Sequence, residues 1–382
     1  MPWVRDRFRG CLLGLAVGDA VGTTVEFSAP GSFAPVTDMT GGGPFSLPAG
    51  AWTDDTSMAL CLAESLIVKR GFDPIDQLER YVRWWKQGYL SSTGKCFDIG
   101  RATRLALQRF RQTGEPFPGD ADTEAAGNGP LMKLAPVPMA YALQPILAEQ
   151  YAVESARTTH GAPQAHDAAR FFARLLVEAL TGRGDIRAGR TTDGLHPEVA
   201  AVAAGSYLHK SPPEIRGNGY VVLALEAALW AVATTFSYEE AVLAAVNLGD
   251  DADTTAAIAG QLAGAFYGVD AIPLKWRERL VLHDEIERFA DQLFALAIPV
   301  DADWAVVNAF AHTIDGYMHF GDAWGERLAA AHGGELPEDV DDLHALLFLQ
   351  FRADRHAGVS EITGDDAEFR REILRRMRAS SA

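Results

Sequence analysis

Gly10, Gly14, Gly18 and Gly22 recur at every fourth position near the start of the chain, and no other feature limits its folding as tightly. The apolar spacing of residues 5–21 (RDRFRGCLLGLAVGDAV) predicts a helix, and residues four apart fall roughly on one stripe of it. A glycine inside a helix costs about 1 kcal/mol relative to alanine. A stripe of them is expected where another backbone or a ligand comes close on that side. The segment GDAVGTTVEF then carries Asp19 and Glu26 out of the helix.

Most of the rest reads as helices joined by Gly- and Pro-rich loops. Helical spacing predicts helices over 57–70, 73–87, 103–113, 131–134, 139–150, 165–180, 198–209, 220–235, 240–248, 273–282 and 284–296, and another in the stretch 247–264. Strand-like alternation is scarce and there is no internal repeat, so the expected fold is all-α. The loop over 28–52 is long for a structureless connection, which hints at function. A boundary is expected near 299–303. It would separate a compact domain over 1–298 from a small C-terminal helical extension over 299–382, which is more polar and ends in a charged tail.

Two clusters of acidic and hydroxyl side chains stand out. NLGDDADTTAAIAGQLAG, residues 247–264, places Asp250, Asp251, Asp253 and Thr254 immediately before an apolar helical run. Almost 200 positions earlier, Thr53-Asp54-Asp55 opens another such helix. Crowded carboxylates repel one another and need a reason to stay close. One reason is a helix N-terminus, where one or two of them act as caps. The other is a bound hard cation. An EF-hand loop is the weaker candidate, because the chain turns helical where that loop would need its glycine and its glutamate. No cysteine lies nearby and no histidine sits at a zinc-ligand spacing, so the oxygen ligands suit Mg²⁺, Mn²⁺ or Ca²⁺. If the two helix starts converge, one carboxylate can bridge two cations.

Composition narrows the function classes. The 382 residues carry a formal charge of −17, which disfavours stable nucleic-acid binding through phosphates. Cys11, Cys61 and Cys96 are odd in number and form no CxxC pair, a pattern of reducing compartments. The N-terminus lacks a signal-peptide core. The most membrane-like run, YVVLALEAALWAVATTF, contains Glu226 and is short for a span, so a buried helix is expected. The expectation is a cytoplasmic protein with no membrane partner, present as a monomer.

Several separated motifs then combine: GLAVGDAVGTTVEF, WTDDTSMAL, STGKCFDIG, GNGPLM, TTHG, GYVVLALEAALWA and GDDADTTAAIAGQLAGA. In this order, over roughly residues 5–295, the sequence resembles the ADP-ribosylglycohydrolase family, in particular the bacterial branch that reactivates dinitrogenase reductase. The resemblance implies an orthogonal multi-helix bundle with a dinuclear metal cleft. It also implies a hydrolase using two Mg²⁺ or Mn²⁺ ions to remove ADP-ribose from a modified protein side chain, most often arginine. By the same resemblance Thr53, Asp54, Asp55, Asp251, Asp253 and Thr254 are metal ligands, with Asp253 placed to bridge. Asp98 and Glu26 take the catalytic proton work. Asn128 and Gly129 line the ribose-phosphate pocket, and His160 and Tyr220 contact the nucleotide part.

Two positions depart from the family pattern. Asp250 replaces the second glycine of Gly-Gly-Asp-x-Asp-Thr, and Lys133 stands where arginine is common. Beyond about 301 the stretches DGYMHF and LHALLFLQFRADRH resemble a small uncharacterised bacterial module and lie outside the family core. Three other readings stay open: hydrolysis of a serine-linked or base-linked ADP-ribose, hydrolysis of a small ADP-ribose ester, and binding of ADP-ribose without turnover.

Overall fold

A computed structural model describes residues 4–182 and 185–297, so the expected C-terminal extension over 299–382 lies outside the described residues. The helices in chain order are α1 (Val4–Gly22), α2 (Asp54–Lys69), α3 (Pro74–Gln87), α4 (Arg101–Thr113) and α5 (Gly129–Met132). Then follow α6 (Pro136–Ala140), α7 (Pro145–Arg157), α8 (Pro163–Leu180), α9 (Pro197–Ala203) and α10 (Val221–Ala233). The series ends with α11 (Tyr238–Val246), α12 (Ala252–Tyr267), α13 (Leu274–Arg277) and α14 (His283–Ala297). Among the described residues there is no strand, only three isolated β-bridges, in agreement with the all-α expectation. Residues Asp6–Leu296 form one compact unit.

Local chemistry sets many helix ends. Asp73 caps α3 by accepting from the amides of Ile75 and Asp76, with Pro74 at the first helical position. Ser237 caps α11 by accepting from the Glu240 amide, and the Glu240 carboxylate reaches back to accept from the Phe236 amide. Sequence and structure differ where proline or glycine interrupts a periodic run. The expected helix over 139–150 breaks into α6 and α7, and Pro145 opens the second piece. The run over 198–209 divides at Gly205, which has a φ of 98°, into α9 and a 3₁₀ turn. The run over 273–282 shortens to the single turn of α13.

The glycine stripe of α1 packs directly on α12. Methyl groups at Gly10, Gly14 and Gly18 would collide with the backbone carbonyls of Gly264, Gly260 and Ala256. A methyl at Gly22 would collide with the backbone of Ala252 and Asp253. The approach is reciprocal, since Gly260 and Gly264 face the carbonyls of Gly14 and Gly10 in the same way. The Tyr238 hydroxyl donates to the Gly14 carbonyl at 2.8 Å, and the Arg7 guanidinium donates to the carbonyls of Ala265 and Ala179 near the ends of α12 and α8. α12 is buried continuously from Ala252 to Ala265. The membrane-like run becomes α10, a core helix against α12, with Glu226 held by Lys210 at 2.7 Å. No helix among the described residues is long and apolar enough to cross a membrane.

Because the methyl would strike backbone, which cannot rotate away, Gly14→Val is expected to cost about 2–3 kcal/mol. In a domain of this size that lowers Tm by several degrees. Gly71→Ala, whose methyl meets only the Tyr141 hydroxyl at 3.4 Å, serves as the near-neutral control in the same thermal unfolding comparison.

Candidate active site

The end of α1 meets the first turns of both α2 and α12. Asp19 does not leave the helix as expected; α1 continues to Gly22 and Asp19 is fully buried on it. One carboxylate oxygen accepts from the Thr53 amide at 2.9 Å and its hydroxyl at 3.0 Å. The other accepts from the Thr56 amide at 3.1 Å and its hydroxyl at 2.6 Å. Asp19 therefore caps α2 from another helix, and neither Thr53 nor Asp251 makes a side-chain cap on its own helix. With the cap supplied by Asp19, capping does not account for Asp54 and Asp55.

The two clusters converge. The Thr53 hydroxyl, its one proton shared between Asp19 and Asp253, lies 3.2 Å from Asp253 Oδ2, and the Thr254 hydroxyl donates to Asp55 Oδ1 at 3.3 Å. Glu26, Asp98 and Asp253 bring three carboxylate oxygens within 4.8 Å of one another. Glu26 Oε2, Asp55 Oδ2 and Asp253 Oδ1 are buried without a hydrogen-bond partner. Buried charged oxygens in this condition are costly. Their chemistry, all carboxylate and hydroxyl oxygen, fits a hard divalent cation.

Charge crowding appears directly in the proton affinities. Burial and then the repulsion of Asp98, Asp251 and Asp19 push Glu26 up to about 9. Burial and then Asp19 and Asp251 push Asp98 up to about 7. Asp54, Asp55 and Asp253 are driven well above the usual carboxylate range, again by burial first and neighbouring acids second. Asp251 is raised by burial against the opposing hydrogen bond from Asn128. Glu26 and Asp98 stand close together, with carboxylate oxygens within 4.8 Å of each other.

A cavity of about 340 Å³ opens above this floor, lined by Glu26, Asp54, Asp98, Asn128, Asp251 and Thr254 among others. Gly129 and His160 line the same space. Tyr220 instead lines a neighbouring cavity of about 480 Å³; Arg101, Ala102, Gly127 and Gly219 border both. Asn128 Nδ2 donates to Asp251 Oδ2 at 2.7 Å, so the GNGPLM turn is tied to the α12 start. The Gln261 amide on α12 anchors the same turn through the Leu131 and Met132 carbonyls and the Ala135 amide. Tyr220 donates its hydroxyl to Glu198 at 2.6 Å.

Lys133 is buried behind the cavity and donates to the Thr159 hydroxyl at 3.2 Å. Thr159 lies 2.9 Å from His160 Nδ1. Burial, chiefly, holds His160 neutral, its pKa lowered to about 3. The ring packs against Gly127 and Gly129, where a methyl would press on it. Asp250, the unusual residue of its motif, takes the left-handed backbone of the glycine it replaces, with a φ of 54°. Its amide donates to the Ser28 carbonyl and its carbonyl accepts from Phe27, which ties the loop after α1 to the α12 start.

Of the residues expected from sequence, all but Tyr220 gather at one cavity or directly beneath it. Asp19, which ties the end of α1 to the start of α2, received no role from sequence. Its signal was its place on α1 beside the glycine stripe, but nothing local names a partner 34 positions away.

The ADP-ribosylglycohydrolase profile matches residues 2–302. The chain belongs to the ADP-ribosylglycohydrolase family. It is 44% identical over 298 residues to the ADP-ribosylarginine hydrolase Tri1 of Pseudomonas putida (strain GB-1), covering 78% of this chain and 80% of that one. It is 35% identical over 302 residues to the ADP-ribosyl-[dinitrogen reductase] glycohydrolase of Rhodospirillum rubrum, covering 78% of this chain and 98% of that protein. A solved structure described as an ADP-ribosylglycohydrolase-related protein complex superposes with a TM-score of 0.69 at 46% identity, covering 78% of this chain and all of the other. The matched region contains every site residue named above.

The crowding sets a pH dependence. A carboxyl whose folded pKa is raised stabilises the fold fully below its ordinary pKa, and that stability is lost as pH rises through the folded value. In chelator, Tm is therefore expected to fall as pH rises from about 5 to 9, through the ranges of Asp98 and Glu26. Added Mn²⁺ or Mg²⁺ is expected to raise Tm, and more at pH 9 than at pH 5; differential scanning calorimetry reads both.

Proposed function

We propose that this protein hydrolyses the bond between ADP-ribose and a protein side chain, with N-linked ADP-ribosyl-arginine as the substrate. The carrying observation is the convergence of two acidic helix starts, some 200 residues apart, with unpartnered buried carboxylate oxygens beneath a cavity. The names of the relatives, an ADP-ribosylarginine hydrolase and an ADP-ribosyl-[dinitrogen reductase] glycohydrolase, support the linkage. The catalytic machinery is assigned to residues 1–298, with 299–382 as an appended extension.

In this reading Thr53, Asp54 and Asp55 from α2 and Asp251, Asp253 and Thr254 from α12 hold two divalent cations, Mg²⁺ or Mn²⁺. Bound there, the ions supply fixed positive charge that orients the ribose hydroxyls and favours the transition state. The proton work falls to Glu26 and Asp98. They stand close together, and Glu26, the more strongly raised, holds a proton where Asp98 gives its own up first. One protonates the leaving nitrogen, the other takes a proton from water, and the hydroxyl adds to C1 of the ribose. Asn128 and Gly129 border the space for ribose and phosphate. His160 presents a neutral imidazole there, and Tyr220 lies in the adjoining cavity where the nucleotide end would reach.

Purified protein with Mg²⁺ or Mn²⁺ is to be tested against arginine-, serine-, base- and ester-linked ADP-ribose. Release of free ADP-ribose is expected from the arginine linkage and lost in chelator. Binding without release from any of the four would make the protein a binder rather than a hydrolase. Asp98→Asn is expected to lower kcat/KM by about 100-fold or more with the fold intact by circular dichroism; full activity would remove Asp98 from the mechanism.

A further inference from the structure

The helix α4, RATRLALQRFRQT, is a basic island on an acidic protein. It carries Arg101, Arg104, Arg109 and Arg111 and no acid, in a chain of net charge −17. Arg101, Arg104, Leu105, Gln108 and Arg111 are all exposed and follow three- and four-residue spacing, so they share one face. Thr103, Ala106 and Leu107 are buried on the other. Many arginines elsewhere are engaged by carboxylates, such as Arg9 by Asp291, Arg80 by Asp76, Arg174 by Glu149 and Arg190 by Glu178, and others, such as Arg7 and Arg187, by carbonyls. On α4 only the Arg109 guanidinium is engaged, by Asp120 at 3.5 Å; among the described residues the guanidinium groups of Arg101, Arg104 and Arg111 have no ion pair or hydrogen bond.

The position of this face is as telling as its charge. Arg101, Ala102 and Thr103 line the acidic cavity, and Arg101, Ala102, Leu105 and Arg109 line its neighbour. The arginine face thus starts at the mouth of the cleft and runs outward for about 15 Å, at 1.5 Å per residue. Arg104 and Arg111 line neither cavity, so the phosphates of a ligand held there do not explain them. An extended nucleic acid would meet the repulsion of the whole acidic surface. A short acidic peptide segment matches the guanidinium groups of Arg104 and Arg111, which pair with carboxylates bidentately, while Arg101 faces the cavities themselves.

We propose that the exposed arginine face of α4 docks an acidic segment of the ADP-ribosylated protein, beside its modified residue, and so selects among protein substrates. This rests on the hydrolase reading above and adds a substrate preference to it. Rim charges of this kind act mainly through the association rate and are weakened by salt.

The test uses the full chain and three probes: free ADP-ribosyl-arginine, and two peptides carrying one ADP-ribosylated arginine flanked by glutamates or by serines. At low ionic strength kcat/KM is expected to be about tenfold higher for the glutamate-flanked peptide. Added salt should shrink the difference, and R104E/R111E should abolish it while turning over free ADP-ribosyl-arginine as the unaltered protein does. Equal rates on the two peptides, or a preference that survives R104E/R111E, would overturn the proposal. So would an equal fall on all three probes, which would place these arginines on the ADP-ribose itself. If no probe releases ADP-ribose, the hydrolase reading fails separately. Fluorescence anisotropy with the same labelled peptides then decides the docking: tighter binding of the glutamate-flanked peptide, lost in R104E/R111E, upholds it, and equal binding ends it.

Discussion

The backbone contact between α1 and α12 is the constraint on which the rest depends. Without side chains at Gly10, Gly14, Gly18 and Gly22, α12 lies against α1 at carbonyl distance along its length. That closeness brings the backbone of Asp253 against the last turn of α1, at Gly22. Three residues earlier on the same helix, Asp19 grips the start of α2 through four hydrogen bonds. One helix end thereby fixes two others, and the acids they carry are held together despite their repulsion.

The cost of that arrangement is visible in the site. Carboxylates that could ionise freely in water are buried together, and their proton affinities rise accordingly. Hydroxyls of Thr53 and Thr254 partner some of the oxygens, and others have no partner at all. A fold optimised for stability alone would not keep such a cluster, and strain of this kind gathers at functional sites. Divalent cations would convert the repulsion into binding energy, so the fold supplies positioning and the ions supply the compensating charge.

Much of this was legible in the sequence because it was written locally. Periodicity marks the helices, Thr53-Asp54-Asp55 and Asp251-x-Asp253-Thr254 mark their acidic starts, and the glycine stripe announces a close backbone neighbour. What sequence could not supply was the identity of partners distant in the chain. Asp19 looks like a residue leaving a helix until Thr53 and Thr56 are seen to donate to it. The Lys133–Thr159–His160 chain joins two motifs whose contact no spacing reveals. Asp250 stands in the sequence only as an acid in place of a glycine; its left-handed backbone and its ties to Phe27 and Ser28 show it holding a turn. The unpaired arginines of α4 were likewise invisible as a feature, because sequence shows where charges are but not which of them find partners.

The central claim is that the two acidic helix starts form one cation site that exists only while α2 and α12 are held together. Titration of the metal-stripped protein with Mn²⁺, followed by electron paramagnetic resonance, tests it most directly. Two ions bound per chain are expected, with both lost or greatly weakened in Asp253→Asn, since that residue is placed between the clusters. No binding to the unaltered protein, or the same two ions bound with undiminished affinity by Asp253→Asn, would contradict the account.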